Sequence, residues 1–186
     1  RIAIIDTGAD VDHPSLDPDA LKYALQGSNA TIMTEADLTD EVLNQLNAYT
    51  RKAGLTAADF YVNEKIPFGF NYVDADTDIT HDNDTQGDHG SHVTGIAAGN
   101  RFVKDEAGNY VAALDSVMTQ GVAPDAQILT MKVFGKRGGA YDSDYMVAIE
   151  DAMVLGADAA NLSLGGSFPG YSEYTEEKYR HILDEI

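Results

Sequence analysis

Ile128-Leu-Thr-Met-Lys-Val-Phe134, the stretch Ser143-Asp-Tyr-Met-Val-Ala-Ile-Glu-Asp-Ala-Met-Val-Leu155, and Ala159-Ala-Asn-Leu-Ser-Leu164 follow one another and decide the fold class of this chain. The first and third are short apolar runs of strand length. Between them Met146, Ile149 and Met153 recur on one face of a helix, and Gly156 closes it. Strand, helix and strand at this spacing make a βαβ unit, which requires a parallel sheet and a right-handed crossover. The expected fold is therefore α/β, with a mainly parallel sheet flanked by helices.

Working outward, Phe68-Gly-Phe-Asn-Tyr-Val73 reads as a further strand, followed by an acid-rich loop from Asp74 to Asp88. Residues His89 to Asn100 place Val93, Ile96, Ala97 and Ala98 among small residues, the pattern of a tightly packed helix in which Gly95 allows close approach. Arg1-Ile-Ala-Ile-Ile5 is continuous, apolar and β-branched, as in a strand buried on both faces. Asp6 follows directly, at the carboxyl end of that strand, where open α/β sheets collect their sites. A chain that starts inside a core strand reads as part of something longer.

Residues 17–67 differ in character. Thr39 followed by Asp40 and Glu41 is a helix start, and Val42, Leu46, Tyr49 and Ala53 then define one helical face that stops at Gly54. Thr56 caps a second short turn. This region is expected to be a helical insertion on the domain surface. Glu173 to Ile186 reads as the opening of a last helix.

Composition narrows the partners. The chain of 186 residues carries 31 acidic against 12 basic residues, a net charge of -19. That balance argues against nucleic acids and anionic membranes, both of which need basic footprints, and otherwise serves solubility. There is no cysteine, hence no disulfide framework and no thiolate chemistry. No apolar run approaches the ~18 residues of a membrane-spanning helix.

Two motifs carry chemistry, Asp6-Thr-Gly8 and His89-Gly-Ser-His-Val93. Asp-Thr-Gly after apolar residues also marks aspartic proteases, but those are all-β and the βαβ pattern contradicts them. The chain instead resembles the subtilisin-like (subtilase) serine proteases. The match runs through Ile4-Ile-Asp-Thr-Gly8 with Asp12-His-Pro14, then Asp88-His-Gly-Ser-His-Val-Thr-Gly95, Gly121-Val-Ala-Pro-Asp-Ala126, Met131-Lys-Val133 and Asn161-Leu-Ser-Leu-Gly-Gly166. The blocks keep the family's order and span nearly the whole chain. The Phe68 to Tyr72 block and the long segment before it look most like the cell-envelope (lactocepin-like) branch.

The resemblance implies a three-layer fold forming the N-terminal part of one catalytic domain, residues 1–186, in a secreted or cell-wall-associated endopeptidase acting on polypeptides. It implies Asp6 as the orienting carboxylate and His89 as the general acid/base of an Asp-His-Ser triad. The nucleophile belongs in a Gly-Thr-Ser-like stretch that opens a helix, and no such stretch occurs here. It and the oxyanion asparagine are expected from the remainder of the catalytic domain, so the isolated chain is expected to be inactive. Substrate backbone is expected to pair with Ser163, Leu164 and Gly165 on one side and with Gly138, Gly139 and Ala140 on the other. The alternative is a non-catalytic subtilase-like module serving binding or adhesion.

Several residues invite other readings. Ser163 lies in a strand without the sharp turn that exposes a nucleophile. His92 is expected to be a packed helix residue, and His81, His89 and His92 match no common zinc spacing. The loop Asp74 to Asp82 lacks the Gly and terminal Glu of an EF-hand, which leaves an irregular structural calcium site or a solvated loop. The family's common calcium site would place an acidic side chain where this chain has Ser15, and the loop between Asn100 and Gly121 is lengthened. The chemistry itself requires no cofactor.

Overall fold

A computed structural model describes residues 1–82, 84–165, 177, 180 and 181. Of the helix expected from Glu173 onward only Glu177, Arg180 and His181 are described, and they are helical; Gly166 also lies outside the described residues. Strands β1 (Ile2–Asp6), β2 (Phe68–Asn71), β5 (Ile128–Lys132) and β6 (Ala159–Asn161) form one sheet in the order β2-β5-β1-β6, every pairing parallel. The crossover between β5 and β6 is α7 (Asp142–Val154), which confirms the βαβ unit. Elsewhere run α1 (Pro18–Ala24), α2 (Asp40–Leu43), α3 (Asn47–Arg51), α4 (Ala57–Phe60), α5 (His89–Ala98), a β3 (Phe102–Lys104) and β4 (Tyr110–Ala112) hairpin, and α6 (Ala113–Ser116).

Strand alternation sends side chains to both faces of the sheet. Ala3, Ile5, Phe68, Phe70, Leu129 and Met131 enter one core with α7 and the 17–67 segment, while Ile4 and Ile128 enter another with Ala98 of α5. Helices thus cover both faces, giving the expected three layers.

The 17–67 segment departs from expectation in two ways. It is not a surface appendage: Leu38, Leu43, Leu46, Ala48 and Phe60 are buried in the main core. The helix expected from Asp40 to Ala53 is also broken, with Leu46 extended at φ -82°, ψ 133°. The cause lies on α7. The Asp151 carboxylate, fully buried, accepts the backbone N–H groups of Asn47 (2.7 Å) and Ala48 (2.9 Å) and the Tyr72 hydroxyl (2.8 Å). A long-range acceptor thereby replaces the helical partners of those amides and starts α3 afresh. Thr39 and Thr56 do cap α2 and α4, as read from the sequence.

Smaller corrections have local causes. The last strand ends at Asn161 rather than Leu164 and is exposed rather than buried, since among the described residues it forms the edge of the sheet. Met153, expected in the core, faces outward on α7. The lengthened loop after Asn100 is the β3–β4 hairpin, turned by Asp105, whose Oδ1 accepts from the amides of Ala107 (2.9 Å) and Asn109 (2.8 Å).

Lys65 is the outlier of the interior. It is fully buried, and its ammonium donates to the carbonyls of Pro124 (2.9 Å) and Ala126 (2.8 Å), with no carboxylate among the described residues as partner. Desolvation lowers its pKa from the ordinary 10.5 to about 7. Between those values the unfolded chain holds a proton that the folded chain has released, so stability rises with pH across the window. The slope approaches ~1.4 kcal/mol per pH unit for one proton. Urea midpoints from pH 7 to 10 should climb more steeply in the natural protein than in Lys65→Met; parallel slopes would refute the assignment.

Candidate active site

The site is built at the carboxyl end of β1, one of the two strands flanked on both sides within the sheet. Asp6, 1% exposed, closes β1 and turns its carboxylate toward the first residue of α5. Its Oδ1 accepts the backbone N–H of Thr7 at 2.7 Å and lies 2.7 Å from His89 Nδ1. The sequence pair separated by 83 residues is therefore one hydrogen-bonded dyad. An ionised carboxylate only accepts, so Nδ1 carries the proton and Nε2 is left with its lone pair. The His89 side chain is 52% exposed, which leaves that second nitrogen accessible to a reactant.

Glycines bring the helix this close. Gly8 turns the chain after Asp6 at φ +111°, where a Cβ would also lie 2.2 Å from the Ile79 carbonyl oxygen. A Cβ on Gly90 would lie 2.1 Å from the Gly8 carbonyl oxygen. The close approach expected at Gly95 is thus made at Gly90, since a Cβ at Gly95 would meet nothing within 4 Å. Two hydrogen bonds sew the elements together: Gly90 N–H to Thr7 Oγ1 (2.8 Å) and Asp10 N–H to Ser91 Oγ (2.7 Å).

Because β5 and β6 flank β1 in a parallel sheet, the segments after them emerge on either side of Asp6. Gly138 and Gly139, both at positive φ, and Ala140 follow β5; Ser163, Leu164 and Gly165 follow β6. Ser163 and Gly165 are exposed and outside any strand. Both segments thus follow strands that pair with β1, on the carboxyl-terminal side of the sheet.

Carboxylates of the acidic loop are engaged within it and by the strand ends beside it. Asp74 Oδ2 accepts from Asn71 Nδ2 (3.0 Å) and from the Lys136 amide (2.9 Å), and Asp78 Oδ1 accepts from the Thr80 hydroxyl (2.8 Å). Among the described residues no three His, Asp or Glu side chains are grouped as a metal centre.

One member of this region, inside the Met131-Lys-Val133 block, carried no assigned role in the sequence reading. Lys132, 1% exposed, sends its ammonium to the Thr7 carbonyl (2.5 Å) and to Asp84 Oδ2 (2.5 Å), whose side chain is 2% exposed. The available signal was a lysine inside an otherwise apolar central strand, which needs a buried partner.

Among known proteins, the PI-type proteinase of Lactococcus lactis subsp. cremoris is 43% identical over 109 residues, 56% of this chain and 5% of the relative. The PII-type proteinase of Lacticaseibacillus paracasei is 34% identical over 171 residues, 88% of this chain and 7% of the relative. The minor extracellular protease Vpr of Bacillus subtilis is 36% identical over 104 residues, 53% of this chain and 11% of the relative. The chain thus spans about a tenth or less of the length of these relatives. The sequence pattern of the subtilase family matches residues 1–184. That match takes in both residues of the dyad and the parallel sheet that joins them, and the chain belongs to the subtilase family.

Proposed function

We propose that the full-length protein is a serine endopeptidase in which this chain supplies Asp6 and His89. A serine from the remainder of the catalytic domain completes the triad. The 2.7 Å contact between His89 Nδ1 and a buried carboxylate carries this reading. A serine hydroxyl is too weak an acid to attack an amide unaided. His89 Nε2 takes its proton as the bond to the substrate carbonyl forms, then returns that proton to the leaving amine. Asp6 holds the tautomer and stabilises the imidazolium in between. Each of these groups is a protein side chain, so the step invokes no cofactor.

Polypeptide is the substrate class this reading assigns. An extended backbone would enter between the segments 138–140 and 163–165, adding a strand to each side. An extracellular location follows from kinship with relatives such as the extracellular protease Vpr. No helix among the described residues is long and apolar enough to cross a membrane. An intact dyad favours the enzyme over a binding module, because binding alone gives no reason to aim an imidazole at a buried carboxylate.

The test is covalent labelling. Full-length protein should react with a serine-directed phosphonate, and His89→Ala should slow labelling at least ~10³-fold. The 186-residue chain by itself should not label. Unchanged labelling of His89→Ala would remove His89 from its role, and an unreactive full-length protein would favour the binding module.

A further inference from the structure

Lys132 and Asp84 form a buried ion pair for which the triad reading has no use. Lys132 is the register partner of Asp6 across the β1–β5 ladder. Its ammonium bonds the carbonyl of Thr7, the residue directly after Asp6, and the carboxylate of Asp84, on the loop leading into His89. Asp84 is itself fixed in that loop: its Oδ1 accepts the Gln86 amide (2.8 Å), and its own amide donates to the His81 carbonyl (3.3 Å). Gln86 Nε2 adds a second tie, to the Gly135 carbonyl beyond β5 (3.2 Å).

Stability does not account for the pair. A buried pair of charges is often replaceable by well-packed apolar side chains at no cost. Apolar packing, however, offers no directional link, and Thr85, Gly87 and Asp88 are exposed. Three short chain segments must be held in register for His89 to meet Asp6: the end of β1, the end of β5 and the loop before α5.

We propose that the Lys132–Asp84 pair is a positioning device for the dyad, clamping the loop that delivers His89 to the strand end that delivers Asp6. This rests on the peptidase reading above. A displacement of ~1 Å at a catalytic group costs on the order of 10²-fold in rate, so loss of the clamp should appear in kcat and not in KM.

The test compares full-length protein with Lys132→Met/Asp84→Leu, which removes both charges together and leaves neither buried without its partner. The expected result is a folded variant with kcat lowered ~10- to 100-fold and KM within about threefold. The downfield proton resonance of His89 Nδ1–H should be broadened or lost in the same variant. A folded double variant with natural kcat and an unchanged resonance overturns the proposal. Should the double variant fail to fold, Asp84→Ala decides, since it cuts the tie to the loop and leaves the ammonium its bond to the Thr7 carbonyl. A lower kcat at constant KM supports the clamp, and an unchanged kcat overturns it. Were the natural protein unreactive toward phosphonates, the peptidase reading would fall, while the His89 resonance would still decide on the clamp.

Discussion

Asp6→Asn lowers kcat of the full-length protein by about 10⁴-fold and leaves KM within about threefold and the fold intact. Asp6 Oδ1 is the shared acceptor of the Thr7 amide and the His89 ring. If the new amide keeps its oxygen there, both hydrogen bonds survive, but no negative charge stabilises the imidazolium formed during proton transfer. If the amide turns its NH₂ to the ring instead, Nδ1 must accept, the ring proton moves to Nε2, and the base is lost. Both arrangements disable the same step. Folding is spared for a separate reason. Asp6 Oδ2 is buried without a hydrogen-bond partner among the described residues, so a neutral amide relieves a desolvation penalty. Steady-state kinetics on a peptide substrate beside a thermal melt checks both halves. A loss of less than tenfold would strip Asp6 of the orienting role.

The elements legible in the sequence are those whose signal is local. Continuous apolar runs at Ile2–Asp6 and Ile128–Lys132 need partners on both faces, and only a covered central sheet provides them. Thr39 and Thr56 announce helix starts because the cap bond lies within three residues of the cap. The break at Leu46 was illegible because its cause, Asp151, sits 104 residues from Asn47 and looks like an ordinary helix acid. The β3–β4 hairpin was illegible for the opposite reason. Its strands have three residues each, too few to show a period.

The site divides the same way. Asp6 and His89 stand in motifs whose neighbours, Gly8 and Gly90, are demanded by the close approach of strand end and helix. Gly95 drew attention through helix propensity, yet its Cβ position is open, so composition alone cannot tell a packing glycine from a tolerated one. Lys132 reads locally as one polar residue in an apolar run. Its meaning depends on Asp84, which comes from a loop 48 residues away.

Asp151→Ala destabilises the fold by about 3–5 kcal/mol. The substitution orphans the buried amide of Ala48, the buried hydroxyl of Tyr72 and the half-buried amide of Asn47, all satisfied by this one carboxylate. Asp151→Asn should cost only ~1–2 kcal/mol, because the amide keeps one oxygen and the Tyr72 hydroxyl can turn to accept. The pH dependence separates this network from an ordinary salt bridge. Burial raises the Asp151 pKa above the usual 3.8, against the lowering effect of the bonds from Ala48, Asn47 and Tyr72. The folded chain therefore holds the proton more tightly than the unfolded chain, and stability falls as pH rises through that interval. Asn imitates the protonated acid at every pH. Its cost, measured by urea unfolding, should accordingly be smaller at pH 7 than at pH 3.5, and a cost that grew toward neutrality would show that Asp151 is stabilised as an anion instead.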